Sequence, residues 1–171
     1  MYINIIMNSI KIFDTYLPTN LYFKHDSIQI ESVYQNVMYL CDDKVECNYE
    51  DSIYEPNIIA YIKFYVDDTT DCADINTVHV KENYRGRGYS LFLLLKTIVY
   101  LASINIDSVQ LDDTSDKYRQ EHNLYKLVGF KYIADYGAEM TAEIDELLNS
   151  NNFGKFISKA QTVWKKYYTT N

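Results

Sequence analysis

The strongest strand pattern in the chain is Ile58-Ile59-Ala60-Tyr61-Ile62-Lys63-Phe64-Tyr65-Val66, β-branched or aromatic at nearly every position. Asp67-Asp68-Thr69-Thr70-Asp71 closes it as a turn, and residues 73–80 read as the next strand. Upstream, residues 2–13 alternate loosely and predict a first strand, with a turn at Leu17-Pro18-Thr19-Asn20. Residues 21–34 suit a strand or a short helix equally, because Ile28, Ile30 and Val33 fit both periods. Residues 36–41 read as a strand, and residues 42–57, acidic and without period, as an exposed connection. Residues 90–102 are apolar on most sides and predict a buried helix.

Past that helix, residues 107–111 predict a strand ended by Asp112-Asp113. Ser115 is a plausible N-cap for a polar-faced helix running through Tyr118, His122 and Tyr125, which Gly129 terminates. Residues 130–136 read as a further strand. Met140, Ile144, Leu147 and Leu148, then Phe156, Ala160, Val163 and Tyr167, recur at helical spacing. They predict two helices joined by residues 149–154, with a strand over 162–168 as the alternative to the second. Hairpin-like strands in the first half and alternating strands and helices in the second predict an α/β or α+β domain, a mixed sheet with helices on its faces. The chain reads as a single domain over 1–171, with a core over about 1–137 and an extension over 138–171.

Composition narrows the function classes more than the fold. A chain of 171 residues, 47% apolar and 23% charged, can bury a core without staples. The net charge of −8 argues against broad nucleic-acid binding, which needs a positive field. It suits a cationic substrate, and it also simply keeps a protein soluble. With 18 tyrosines, a single Tyr signals chemistry only when its neighbours support it. Cys41, Cys47 and Cys72 are odd in number and lack metal-ligand spacing, which fits a reducing, intracellular compartment and predicts no metal. The N-terminus lacks a basic signal-peptide region, and no apolar run reaches membrane-spanning length, so a soluble cytoplasmic protein is expected.

Two stretches carry candidate chemistry. Arg85-Gly86-Arg87-Gly88-Tyr89-Ser90 lies between a predicted strand and the start of the apolar helix. Glycines there let the backbone bend sharply and a ligand approach closely. The turn amides and the first free amides of the helix suit a phosphate or pyrophosphate. The plainer alternative is a tight strand-to-helix connection with two solvated arginines. A dinucleotide fingerprint fails, since it needs three glycines and a downstream acidic residue in a parallel unit. The second stretch, Asn123-Leu124-Tyr125-Lys126-Leu127-Val128-Gly129-Phe130, places a Tyr shortly before a helix-ending Gly. On its own it is a helix C-cap with Tyr125 packed in the core.

Taken together, the two stretches resemble the GCN5-related N-acetyltransferase (GNAT) superfamily. Its acetyl-CoA turn reads Arg/Gln-x-x-Gly-x-Gly/Ala, matched by Arg85 to Ser90, and its later Leu-Tyr-x-x-x-Gly-Phe is matched by Leu124 to Phe130. Ala73-Asp74-Ile75 resembles the family's Ala-Glu-Ile, eleven residues before the turn's Arg. The resemblance spans about residues 58–136. It departs from the family at Ser90, where Gly or Ala is usual, and at Ala60, where a glycine is common. It departs again at Tyr118 and Glu121, which replace an Asn and an Ala, and in the helical-looking tail.

The resemblance implies a GNAT acyltransferase fold and an acetyl-CoA-dependent transfer to a primary amine by direct attack. Asp74, through a water, would be the base, and Tyr125 the acid for the leaving thiolate; His79 is a second candidate base. A backbone amide near Val78 would polarise the thioester carbonyl, and the Val80 amide would hold the pantetheine arm. The amides of Gly86, Arg87, Gly88, Tyr89 and Ser90 would hold the pyrophosphate, with charge added by Arg85 and Arg87. The implied partners are acetyl-CoA and an amine acceptor, small molecule or protein amine, with no nucleic acid and no membrane. The tail could pair across a homodimer. The alternative is a catalytically inactive GNAT-fold module that binds CoA or serves in assembly.

Overall fold

The structure is a computed structural model that describes residues 21–42, 57–149, 153–155, 158 and 162. Its centre is β3 (Ile58–Asp67), which pairs antiparallel with β2 (Val33–Cys41) on one side and β4 (Cys72–Val80) on the other. Both faces of β2 are covered from Asn36 to Cys41, whereas β3 beyond Ala60 buries one face and leaves Tyr61, Lys63 and Tyr65 half-buried on the other. Met38, Leu40, Ala60, Ile62 and Phe64 belong to the main core, while Val37, Tyr39, Cys41 and Ile58 form a second cluster with Tyr22 and Tyr61. The ambiguous segment after residue 21 is a strand. β1 (Tyr22–Ile30) pairs with β2 across the two-residue turn Glu31-Ser32, where Glu31 adopts φ +56°.

The main core lies between the sheet and helix α1 (Tyr89–Ser103). Leu91, Phe92, Leu93, Leu94 and Leu95 are all buried, as expected for a helix apolar nearly all round. Truncating one such leucine to alanine would remove roughly 2–5 kcal/mol of stability. α1 joins β4 to β5 (Ser108–Asp112), which runs parallel to β4, the arrangement a helical crossover permits. The seven strands run in the order β1-β2-β3-β4-β5-β7-β6, with β6 (Lys131–Tyr132) at the far edge and β7 (Glu139–Glu143) between β5 and β6.

Three sequence expectations need correction. Met140 is in a strand, not a helix: it is fully buried and faces Leu111 of β5 across an antiparallel pair. Met140 and Ile144 fit helical spacing, but burial alternates along β7 and the open edge of β5 settles the matter. Helix α3 begins only at Ile144 and runs to Asn149. The helix expected from Ser115 does not form. Residues 115–122 are a series of turns, with Arg119 at φ +55°, and the helix, α2, is only Leu124–Val128. The strand expected over 130–136 is confined to β6, because the chain then turns through Gly137 (φ +89°) to enter β7. Residues 2–13, the turn at 17–20, Cys47, most of the 42–57 connection and much of the second tail helix lie outside the described residues. Residues 153–155, 158 and 162 of that tail are helical.

Candidate active site

β4 and β5 pair only from Cys72↔Ser108 to Ile75↔Leu111. β5 ends at Asp112, but β4 continues to Val80, and one extra β4 residue, Asn76, is inserted opposite the Lys63–Phe64 step of β3. A bulge of this kind bends its strand and increases its twist. The result is a gap in the sheet beside Asn76 to Val80. The Lys81 amide donates to the Ile59 carbonyl at 2.9 Å. Since backbone groups alternate sides along a strand, the amides of His79 and Lys81 face β3, and those of Val78 and Val80 face the gap.

A cleft of about 380 Å³ opens at this gap, lined by Val78, His79 and Val80 of β4 and by Arg85, Gly86, Gly88, Tyr89 and Ser90 of the following turn. All but one of the residues expected to hold a cofactor therefore meet in one place; Arg87 does not line it. Gly86 (φ +76°) and Gly88 (φ +80°) occupy the left-handed region, open to glycine without strain. Gly88 is the N-cap of α1, and its carbonyl takes the first intrahelical bond, from the Phe92 amide at 3.0 Å. The amides of Tyr89, Ser90 and Leu91 precede that first bond, so the helix does not use them.

The two arginines are partly committed to the protein. Arg85 Nε donates to the Val80 carbonyl at 3.3 Å, and Arg87 Nη2 donates to the Asn83 carbonyl at 3.1 Å while its guanidinium lies over the Tyr84 ring. Tyr89 is buried, and its hydroxyl, wholly removed from solvent, has no hydrogen-bond partner among the described residues.

The candidate base and acid sit elsewhere. Asp74 is exposed, pairs across β4 and β5 with Gln110 and accepts from its Nε2 at 3.3 Å. It lines a second, smaller cleft of about 280 Å³ at the root of the gap, together with Asn76, Asp112 and Glu139. Val78 is four residues further along β4, on the order of 13 Å in an extended strand. His79 stacks on Tyr61 at 5.3 Å and is exposed.

Tyr125 is on α2, half-buried against the main core, with its ring edge-on to Phe130 at 6.1 Å. Burial, and then the charge of Asp113, push its phenol up to about 12. It lines neither of these two clefts.

The same cleft has a second stretch of lining, Thr114, Ser115 and Asp116, of which the sequence marked only Ser115, and that as a helix cap. They follow Asp113, a carboxylate only 1% exposed. Asp113 Oδ1 accepts from the Ser115 hydroxyl at 2.5 Å and the Ser115 amide at 3.1 Å. Its Oδ2 accepts from Asn123 Nδ2 at 2.8 Å and from the Tyr132 hydroxyl. Burial alone would raise the Asp113 pKa, but these donors outweigh it and hold the carboxyl below its ordinary value. Asn123, fully buried, also caps α2 by accepting from the Lys126 amide at 3.1 Å. The visible signal was Asn123 as an N-cap one residue before Leu124; its pairing with Asp113 had none.

No group of three His, Cys, Asp or Glu among the described residues could hold a metal ion, and no helix among them is long and apolar enough to cross a membrane.

A search of curated proteins found no match. Among solved structures the chain is similar to an acetyltransferase of the GNAT family from Staphylococcus aureus Mu50, at 19% identity and a TM-score of 0.48 over 64% of this chain and 68% of that one. It is similar to Tetrahymena GCN5 at 18% identity and a TM-score of 0.42, over 64% and 68%. It is also similar to a GNAT family N-acetyltransferase from Escherichia coli in complex with CoA, at 17% identity and a TM-score of 0.45, over 70% and 69%. A sequence model of the acetyltransferase (GNAT) family matches residues 14–130, from before β1 to the residue that follows Gly129, and the chain belongs to that family.

Proposed function

We propose that this protein is an acetyl-CoA-dependent N-acetyltransferase that moves the acetyl group to a primary amine by direct attack. The observation that carries the reading is the convergence of one strand edge and one helix start on a single cleft. The gap-facing amides of Val78 and Val80 and the free first amides of α1 border the same space. Those donors suit acetyl-CoA: an extended amide arm for the strand edge, a pyrophosphate for the helix start.

Bound there, acetyl-CoA supplies an activated acyl group. The chain's residues do the rest. The Val78 amide polarises the carbonyl, as a preorganised donor aimed at developing charge does. The acceptor amine must first lose a proton. With a pKa near 10.4, only about one lysine-like amine in 2,500 is neutral at pH 7, a barrier of about 4–5 kcal/mol. Asp74 takes that proton through water.

Tyr125 donates to the departing sulfur. A phenol at about 12 keeps its proton throughout the neutral range. Handing that proton completely to a thiolate with an ordinary pKa near 8.5 is uphill by about 5 kcal/mol. Tyr125 therefore acts as a hydrogen-bond donor whose proton crosses late, when the second proton, shed by the attacking nitrogen as the amide forms, can replace it.

The test has two steps. Titration with acetyl-CoA should raise the melting temperature, because a ligand that binds only the folded state stabilises it. Thioester consumption is then followed across a panel of small amines, amino sugars, polyamines and peptide amines. No thermal response at millimolar acetyl-CoA removes the reading. Binding without turnover on any amine favours an inactive CoA-binding module instead.

A further inference from the structure

We propose that Asp113 is the positioning residue of this site: its buried carboxylate, bonded to Ser115, Asn123 and Tyr132, fixes both the Thr114–Asp116 lining of the cleft and the helix that carries Tyr125. The part of the inference that concerns cofactor binding rests on the acetyl-CoA reading above. The part that concerns the loop and helix does not.

The 113–123 segment is held at its start by the Asp113 amide, which donates to the Ala138 carbonyl at 2.8 Å, by local turn bonds, and by the Tyr118 hydroxyl, which donates to the Gly137 carbonyl at 2.6 Å. It forms neither helix nor strand, and Arg119 takes a left-handed conformation within it. Its one buried carboxylate, Asp113, gathers four donors, two from Ser115 and one each from Asn123 and Tyr132. Asn123 Nδ2 also reaches the Ser115 hydroxyl at 3.2 Å and the Lys117 carbonyl at 3.3 Å, closing the loop onto the start of α2. Tyr132 brings in β6. Its hydroxyl accepts from the Arg119 amide at 2.7 Å, and the Arg119 guanidinium lies 4.2 Å over its ring. Arg119 Nη2 then donates to the carbonyls of Ala134 and Gly137, both at 2.9 Å.

The choice of an acid here has a chemical reason. A carboxylate offers acceptors on both oxygens, and every partner within reach is a donor. An amide in its place would turn an NH₂ group toward at least one of those donors and leave it unsatisfied. A buried charge is costly unless it is fully hydrogen-bonded. Such a network is kept where its geometry is needed, and what this one fixes is a stretch of cleft lining and, two residues after Asn123, Tyr125.

The network makes the inference testable without a ligand. The backbone amides of Ser115, Arg119 and Lys126 donate to side chains of the network, whereas the Phe92 amide donates to Gly88 in α1. Amide exchange followed by NMR is compared among the parent protein, Asp113→Asn and Tyr132→Phe, the last removing only one hydroxyl. Exchange at Ser115, Arg119 and Lys126 should quicken about tenfold in each folded variant, with Phe92 unchanged. Equal acceleration at all four amides, or none, overturns the inference, since a merely structural loss lowers protection everywhere.

Calorimetry with CoA forms the second arm. Both variants should bind CoA about tenfold more weakly than the parent, well below their melting temperatures. Parental affinity in a variant whose loop amides have been released overturns the claim on the cleft. A parent that does not bind CoA overturns the acetyl-CoA reading instead, and amide exchange alone then decides the role of Asp113.

Discussion

Two stretches line the 380 Å³ cleft, and they are held by opposite means. Arg85 to Ser90 is held by backbone: two glycines at positive φ and the start of a buried helix set its shape, and its arginine side chains turn back onto local carbonyls. Thr114 to Asp116 is held by side chains drawn from four places in the sequence: Asp113, Ser115, Asn123 and Tyr132. The first arrangement is set by adjacent residues and exposes amides. The second is set by residues up to 19 positions apart and leaves no backbone signature. A ligand held between them would meet a rigid anchor on one side and, on the other, a wall whose shape depends on a single buried charge.

The largest effect should come from the group that side-chain-held region positions. Tyr125→Phe is expected to lower kcat about 100-fold, within the range of general acid catalysis, while CoA affinity stays at the parent value. Stopped-assay turnover and calorimetry on the same preparation check both. Equal turnover would remove the donor role and leave Tyr125 as core packing against Phe130.

The backbone-held wall should respond in the opposite sense. Gly88→Ala forces a Cβ onto a residue at φ +80°, a strain of roughly 1–2 kcal/mol, and shifts the first amides of α1. CoA affinity should fall at least tenfold, with kcat at saturating acetyl-CoA changed far less. A kcat loss as large as that of Tyr125→Phe, with unaltered affinity, would erase the distinction between the two walls.

The same contrast explains what could be read in advance. The strand run of β3, the apolar α1 and the glycine turn are encoded in consecutive residues, and the structure has them within a residue or two of where the pattern puts them. That the residues of the glycine turn would meet at one cleft was legible for the same reason. The Ser115 helix was misread because Ser115 looks like a cap, yet its hydroxyl is spent on Asp113. β7 was misread because Met140 and Ile144 satisfy a helical period by coincidence, and only the unpaired edge of β5 demands a strand. Glu139, which joins Asp74 and Asp112 at the second cleft, was invisible for that reason: it comes there through β7 pairing.

A smaller effect should appear at the second cleft. Asp74→Asn is expected to lower the rate about tenfold at pH 7. The deficit should shrink toward pH 9–10, where more of the acceptor amine is already neutral and needs no base. A pH–rate profile with each enzyme at saturating acetyl-CoA measures this. A deficit constant with pH would mean that Asp74 aligns the acceptor and does not take its proton, and an unchanged rate would pass the base role to His79 or to water alone.

The least disruptive probe is pH itself, because two groups of the side-chain-held region should fail at opposite ends of the scale. Asp113 has a folded pKa below its unfolded value near 3.8, so its contribution to stability is complete above that value and is lost as the pH falls through the folded pKa. Tyr125 has a folded pKa near 12 against about 10 unfolded, so its contribution is complete below 10 and is lost as the pH rises from there to 12. Chemical denaturation at a series of pH values should therefore show an acid limb that flattens in Asp113→Asn and an alkaline limb that flattens in Tyr125→Phe. The two limbs are coupled through one charge, since the Asp113 carboxylate helps to raise the phenol. Asp113→Asn should then also shorten the alkaline limb, which still begins near 10 but levels off at lower pH. An alkaline limb indifferent to that substitution would mean that burial alone sets the Tyr125 phenol, and that the wall and the donor are held independently.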